Sequence, residues 1–207
     1  MHTRPDERQE LLFLAEKGKS ILMLAPRRVG KTWLMKRFEE DLRAAGWTTV
    51  MCDVEGWSTE TDFLRQVCEG IEQRIGLANT AWNRAGQAVQ QLFSGRGTTG
   101  NWRQLITQTD WKSFSGRLVR DLDDHGQKTM ILIDELAMFV ADLMRHDKQR
   151  AKEFLYHLRS LQQAHPNVRW FFTGSIGLDA VARRGDIAGA LVDLHNFPLG
   201  PLSQEAA

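Results

Sequence analysis

Three short clusters of residues in this sequence have types and spacings that could do chemistry. The first is Ala25-Pro-Arg-Arg-Val-Gly-Lys-Thr32, closed by Trp33. It fits the phosphate-binding pattern G-x-x-x-x-G-K-[ST] at every fixed position except the first, which is Ala25. Successive backbone N–H groups of such a loop wrap around a phosphate, and the helix that follows turns its positive end to the same anion. Gly30 allows positive φ and close backbone approach. Lys31 has the reach to bridge the outer phosphates, and the Thr32 hydroxyl can ligate Mg²⁺. Ala25 is tolerable where its φ stays negative, and Pro26 after it favours extended geometry.

The second cluster is Met130-Ile-Leu-Ile-Asp134-Glu135, an apolar run ending in two carboxylates. In an open α/β sheet, ligands bind at the carboxyl ends of the strands. There Asp134 can hold Mg²⁺, directly or through water, and Glu135 can polarise an attacking water. The pair follows the Walker B pattern, about a hundred residues after the loop, and each motif strengthens the reading of the other. The third cluster is Phe172-Thr-Gly-Ser175, again at the end of an apolar run.

Strands and helices must position these groups. Apolar Ser20–Ala25 reads as the strand that delivers the loop, with a short helix, Asp6–Lys17, before it and the helix Lys31–Ala45 after it. Leu34, Phe38, Leu42 and Ala45 recur at helical spacing, and Gly46 ends the helix. A strand follows at Thr48–Val54, then a helix from Thr61 to Ile75 with Phe63, Val67, Ile71 and Ile75 on one face. Residues 77–110 are the least legible. They read as an insertion, helical over Ala81–Phe93 and loop-like at Ser94–Gly100. Helical pattern returns at Trp111–Asp124. Thr129–Asp134 is unbroken and apolar, as a strand buried on both faces should be. A helix is expected at Gln149–Ala164, a strand at Val168–Thr173, a helix near Ile176–Arg184 and a last strand within Leu194–Leu199. Such alternation implies an α/β fold with a mostly parallel sheet covered on both faces.

Composition narrows the function classes. The chain has 207 residues, 42% of them hydrophobic, which suits one large domain with a real core. Its 27 basic and 26 acidic residues leave a net charge of +1, so no global field draws it to nucleic acid or to an anionic membrane. A DNA or protein partner stays open on other grounds. Cys52 and Cys68 make neither a disulfide framework nor a zinc spacing. The six histidines show no paired ligand spacing, and there is no G-x-S-x-G elbow. No apolar run approaches a membrane span and the first residues are polar, so a cytoplasmic protein is expected.

Together, Pro26–Thr32, Asp53-Val-Glu-Gly56, Ile133-Asp-Glu135 and Phe172–Ser175 resemble the archaeal-type ATPases of the AAA+/STAND assemblage of P-loop NTPases, over nearly the whole chain. The resemblance implies a three-layer fold with a five-stranded sheet in order 5-1-4-3-2. It implies Mg-dependent binding and hydrolysis of ATP, with the energy driving a conformational change in an attached domain or partner. A nucleotide-dependent regulatory switch with little turnover is the second reading, and a P-loop phosphotransferase the third. In the hydrolytic reading Lys31 and Glu135 are catalytic, Thr32 and Asp134 hold the metal, and residues 25–33 cradle the nucleotide. Thr173 or Ser175 would sense the γ-phosphate or the water, although Ser175 equally suits a helix N-cap. Arg183 or Arg184 would reach a neighbouring copy as an arginine finger, or simply complement a helix dipole. Adenine would lie near Thr3, Arg4 and Pro5. Glu55 would either reach the site or stay a solvated loop acid. The core is expected over residues 1–200. Residues 201–207, with Ser203 as N-cap, are expected to start a helical lid, which would make the chain a fragment of a longer protein.

Overall fold

The computed structural model describes residues 4–75, 102–124, 126–175 and 187–200. The chain runs α1 (Pro5–Glu16), β1 (Ile21–Ala25), α2 (Lys31–Ala44), β2 (Thr48–Asp53), α3 (Glu60–Ile75), α4 (Trp102–Gln108) and α5 (Trp111–Asp124). It continues through β3 (Thr129–Asp134), α6 (Leu136–His146), α7 (Lys148–Ala164), β4 (Val168–Ser175), a 3₁₀ turn (Ala188–Leu191) and β5 (His195–Pro198). The five strands form one sheet in the order β2-β3-β4-β1-β5, and every pairing is parallel. This is the order the resemblance implies, read from the other edge.

Side-chain alternation along the strands splits the core into two layers. Ile21, Met23, Ala25, Met130, Leu132, Phe171 and Phe197 meet α1 and α2 through Leu11, Leu14, Leu34, Met35, Phe38 and Leu42. The intervening residues Leu22, Val50, Cys52, Ile131, Ile133, Trp170 and Phe172 meet the helices of the other face. A period of two in the strands and of 3.6 in the helices is what sorts them this way. Phe63, Phe139 and Phe154 tie α3, α6 and α7 together, with ring centroids 4.9–5.5 Å apart. Aromatic contacts at this separation add about 1 kcal/mol each beyond area burial. β3 lies between β2 and β4 and is buried at every position. That burial explains its unbroken apolar sequence.

Two helices were not expected. α4 lies at the end of the poorly legible stretch. α6 starts immediately after the carboxylate pair, with Leu136, Phe139, Val140 and Leu143 buried at helical spacing. Only Asp147 separates it from α7. Asp147 is extended, with φ −160° and ψ 114°, and its carboxylate caps α7 by accepting from Gln149 N and Arg150 N. β4 passes tightly under the start of α6: a Cβ on Gly174 would stand 2.8 Å from Ala137 Cβ. The expected features at residues 81–100, 176–184 and 201–207 lie outside the described residues. No helix among the described residues is long and apolar enough to cross a membrane.

Candidate functional site

The parallel registers bring the three clusters together. Met23 pairs with Thr173, Ala25 with Ser175 and Ile133 with Phe172, so β1, β3 and β4 end side by side. The loop 25–30 leaves β1 and turns into α2. Ala25 is not among the non-glycine residues with positive φ, which in the described residues are Arg4, Arg28 and Glu135. Alanine in place of the usual first glycine is therefore unstrained. Positive φ falls instead on Arg28 (68°) and Gly30 (90°). Glycine takes such a conformation freely, whereas a non-glycine residue pays about 1 kcal/mol or more for it.

Lys31, the first residue of α2, is buried at 6% exposure. Its ammonium donates to the carbonyls of Ala25 (3.1 Å) and Pro26 (3.2 Å) and stands 3.9 Å from Glu135 Oε1. Thr32 donates from its hydroxyl to Asp134 Oδ2 at 2.7 Å. Asp134, only 3% exposed, receives the Thr173 hydroxyl and the Glu135 N–H (3.1 Å) on Oδ1. The same N–H reaches Thr173 Oγ1 at 3.2 Å. Glu135 is left-handed, with φ 57° and ψ 33°, where the chain turns from β3 into α6. At this corner the Asp134 carboxylate meets Thr32 and Thr173, while that of Glu135 stands beside Lys31.

A cavity of about 340 Å³ opens over these groups, lined by Arg27, Arg28, Gly30, Lys31, Thr32, Trp33, Glu55 and Glu135. Three cationic and two anionic side chains make its wall net positive. Arg27 donates to Met138 Sδ at 3.4 Å, linking the loop to α6. Trp33 carries the Arg37 guanidinium at 5.7 Å from its ring centroid. Glu55, open to either reading in the sequence, stands in the cavity wall. Its carboxylate follows Asp53, whose Oδ1 accepts the Glu55 N–H at 2.9 Å.

Of the residues named from the sequence, Arg27, Arg28, Gly30, Lys31, Thr32, Trp33, Asp134, Glu135 and Thr173 converge. Thr173 is fully buried and spends its hydroxyl on Asp134 and on the Glu135 N–H. Arg4 is also buried, and its guanidinium donates to Val29 O, Gly200 O and Glu7 rather than lining the cavity. Arg183 and Arg184 lie outside the described residues. No sequence signal marked the left-handed conformation of Arg28 or of Glu135.

Among the described residues no group of three or more His, Cys, Asp or Glu is placed to hold a metal ion. The Thr32–Asp134 pair is nonetheless the oxygen-donor set Mg²⁺ accepts. That ion keeps several waters and needs one carboxylate and a substrate phosphate more than a protein cage.

A parallel sheet with this strand order, a phosphate loop after β1 and a carboxylate pair after β3 defines a P-loop NTPase core. The model of a family described as AAA domain matches residues 15–181, and the chain belongs to that family. No curated protein matches the chain. Among solved structures, the Walker-type ATPase PABY2304 of Pyrococcus abyssi is similar over 100% of this chain and 55% of its own, at 18% identity and TM-score 0.66. The Aeropyrum pernix ORC2 protein in its ADPNP–ADP complexes is similar over 96% of this chain and 48% of its own, at 14% identity and TM-score 0.58. The ORC1 protein of the same organism, solved in complex with DNA, covers 98% and 46%, at 14% identity and TM-score 0.57. The chain thus spans about half the length of these structures. At such identities the likeness shows the fold.

Proposed function

We propose that the chain binds ATP with Mg²⁺ and hydrolyses it to ADP and phosphate, with the change in bound nucleotide driving movement in an attached domain or partner. The observation that carries this reading is the convergence of Lys31, Thr32, Asp134 and Glu135 on one cavity, with Thr32 and Asp134 2.7 Å apart. Bound Mg²⁺ would be held by Thr32 and Asp134 and would supply charge neutralisation to the phosphate chain. The loop amides and the start of α2 bind the phosphate chain. Lys31 stabilises charge that develops on the transferred group. Glu135, on the cavity wall, orients and deprotonates the attacking water.

The test is ATP affinity and turnover in the parent, Lys31→Ala and Glu135→Gln proteins. Lys31→Ala removes the buried cation of the loop and abolishes binding. Glu135→Gln keeps binding and stops turnover, because an amide cannot take the proton. Parental affinity in Lys31→Ala would refute the phosphate-loop assignment. Parental turnover in Glu135→Gln would move the base elsewhere, with Glu55 next.

One observation favours the switch reading. Lys31 donates to two loop carbonyls and stands beside Glu135, at the corner between β3 and α6. A phosphate that approaches Lys31 competes with Glu135 for the ammonium, so occupancy of the site would bear on the β3–α6 corner, as a nucleotide switch requires. Single-turnover kinetics with retained ADP would identify a switch, and rapid steady-state release an enzyme. Two partner classes are consistent with the fold: a second copy of the chain, and DNA, which the structure of the similar ORC1 protein contains. With a net charge of +1, only a local basic patch could serve the latter.

A further inference from the structure

Arg4 combines features that a surface arginine has no need of. It is left-handed (φ 42°, ψ 55°), immediately before α1, and its side chain is only 4% exposed. One guanidinium nitrogen donates to Glu7 Oε1 at 2.7 Å. The other donates both to Val29 O at 3.1 Å and to Gly200 O at 2.9 Å. Arg4 therefore ties the phosphate loop to the segment that leaves β5, across the ends of the chain.

The peptide it grips is the one most able to turn over. Val29 sits between Arg28 (φ 68°) and Gly30 (φ 90°). Rotating the Val29–Gly30 peptide by half a turn changes only ψ of Val29 and φ of Gly30, and glycine accepts either sign of φ. The described residues contain no cis peptide. In a planar trans peptide the C=O and the next N–H point to opposite sides. Gly30 lines the cavity, whereas neither Val29 nor Arg4 does. With the Val29 carbonyl held on Arg4, the Gly30 N–H is turned toward the cavity side. A flipped peptide would present a carbonyl oxygen to the phosphates, and repulsion would replace a charge-assisted hydrogen bond.

We propose that Arg4 is a positioning residue that pins the Val29–Gly30 peptide, so that the Gly30 N–H is preorganised for the phosphate chain of a bound nucleotide. This rests on the ATP reading above, and it assigns Arg4 to the phosphates rather than to adenine. Preorganised donors bind more tightly than donors that must first reorient.

The experiment compares the parent protein with Arg4→Met, titrating each with inorganic tripolyphosphate and with ATP, both with Mg²⁺. Arg4→Met weakens both ligands by the same factor, about tenfold, the value of one charge-assisted hydrogen bond. Loss of ATP affinity with tripolyphosphate unchanged would make Arg4 an adenine contact and overturn the proposal. Parental affinity for both would make it a structural anchor and overturn it equally. A second measurement needs no variant: in the parent, the Gly30 amide resonance shifts downfield and gains exchange protection on adding Mg-tripolyphosphate. An unmoved Gly30 amide beside shifted Lys31 and Thr32 amides would overturn the proposal even if Arg4→Met fails to fold. A parent that binds tripolyphosphate but not ATP refutes the nucleotide reading alone, and one that binds neither refutes both.

Discussion

Replacing Thr173 by Val tests the geometry at the centre of the site. Valine has nearly the same shape, so no cavity opens and the change is chemical. The Asp134 carboxylate, 3% exposed, loses the hydroxyl that donates to Oδ1. A hydrogen bond to a charged group contributes about 1.5–3 kcal/mol, and a buried acceptor left short of a donor cannot recover it from water. The Glu135 N–H adds little to the loss, because it keeps Asp134 Oδ1 as acceptor at 3.1 Å. A total near 2 kcal/mol, in a domain of this size, lowers Tm by roughly 4–8 °C. Asp134 is then held through Thr32 and the Glu135 N–H alone, and the Mg²⁺ concentration that half-saturates ATP binding rises. Thr173→Ser separates the two effects. It keeps the hydroxyl and loses a methyl group, so stability falls by about 1 kcal/mol and Tm by only roughly 2–4 °C, while the Mg²⁺ midpoint stays put. Thermal unfolding and Mg²⁺ titration of nucleotide binding read the two quantities independently. A Thr173→Val protein within a degree of the parent, with an unchanged Mg²⁺ midpoint, would refute the argument. If Thr173 instead reached the γ-phosphate, the variant would lose ATP affinity and keep ADP affinity.

Two further perturbations probe what surrounds the site. Gly174→Ala places a methyl group 2.8 Å from Ala137 Cβ and 3.4 Å from Leu24 Cδ2, so β4 and α6 must part. Overpacking costs about 1–3 kcal/mol, and Tm and Mg²⁺-dependent binding should fall together, since the shift moves the carboxylate corner; a parental Tm would show that α6 yields freely. His157 lies 2.7 Å from the Ser115 hydroxyl, and burial, then the nearby Lys112, holds its pKa below the usual 6.5, with Asp110 opposing. The unfolded chain takes this proton first, so the stabilisation is complete above the unfolded pKa and is lost as pH falls below about 6.5. Urea midpoints of the parent should therefore drop as pH falls below about 6.5, and His157→Gln should remove part of that slope; an unchanged slope would place the titration elsewhere.

The chemistry of the site was legible because it rests on local spacing. A phosphate loop needs a strand, a glycine at one position and a lysine and hydroxyl directly after it, all within one stretch of chain. A carboxylate pair closing an apolar strand is equally local. The alternation of strands and helices followed from periodicity, and strand boundaries fell within two residues, the largest difference being β4, which runs two residues past Thr173 to Ser175. α6 escaped although Leu136, Phe139, Val140 and Leu143 have helical spacing, because Glu135 enters it from a left-handed conformation that no usual capping residue announces.

Tertiary structure decided what the side chains of those motifs do. Thr32 and Asp134, like Asp134 and Thr173, are far apart in the chain, and only the parallel registers of β3 with β4 and of β4 with β1 bring them together. The expectation that Arg4 faces adenine came from the order of elements. Its burial and its bonds to Val29 and Gly200 come from the packing of α1 over the loop and the exit of β5. Glu55 could be read either way from sequence, because a loop acid after a strand has no periodicity to say where it points. A motif specifies which groups are available, since backbone spacing is a local property. Which partner each group finds depends on contacts between distant segments, and these exist only once the sheet has closed around them.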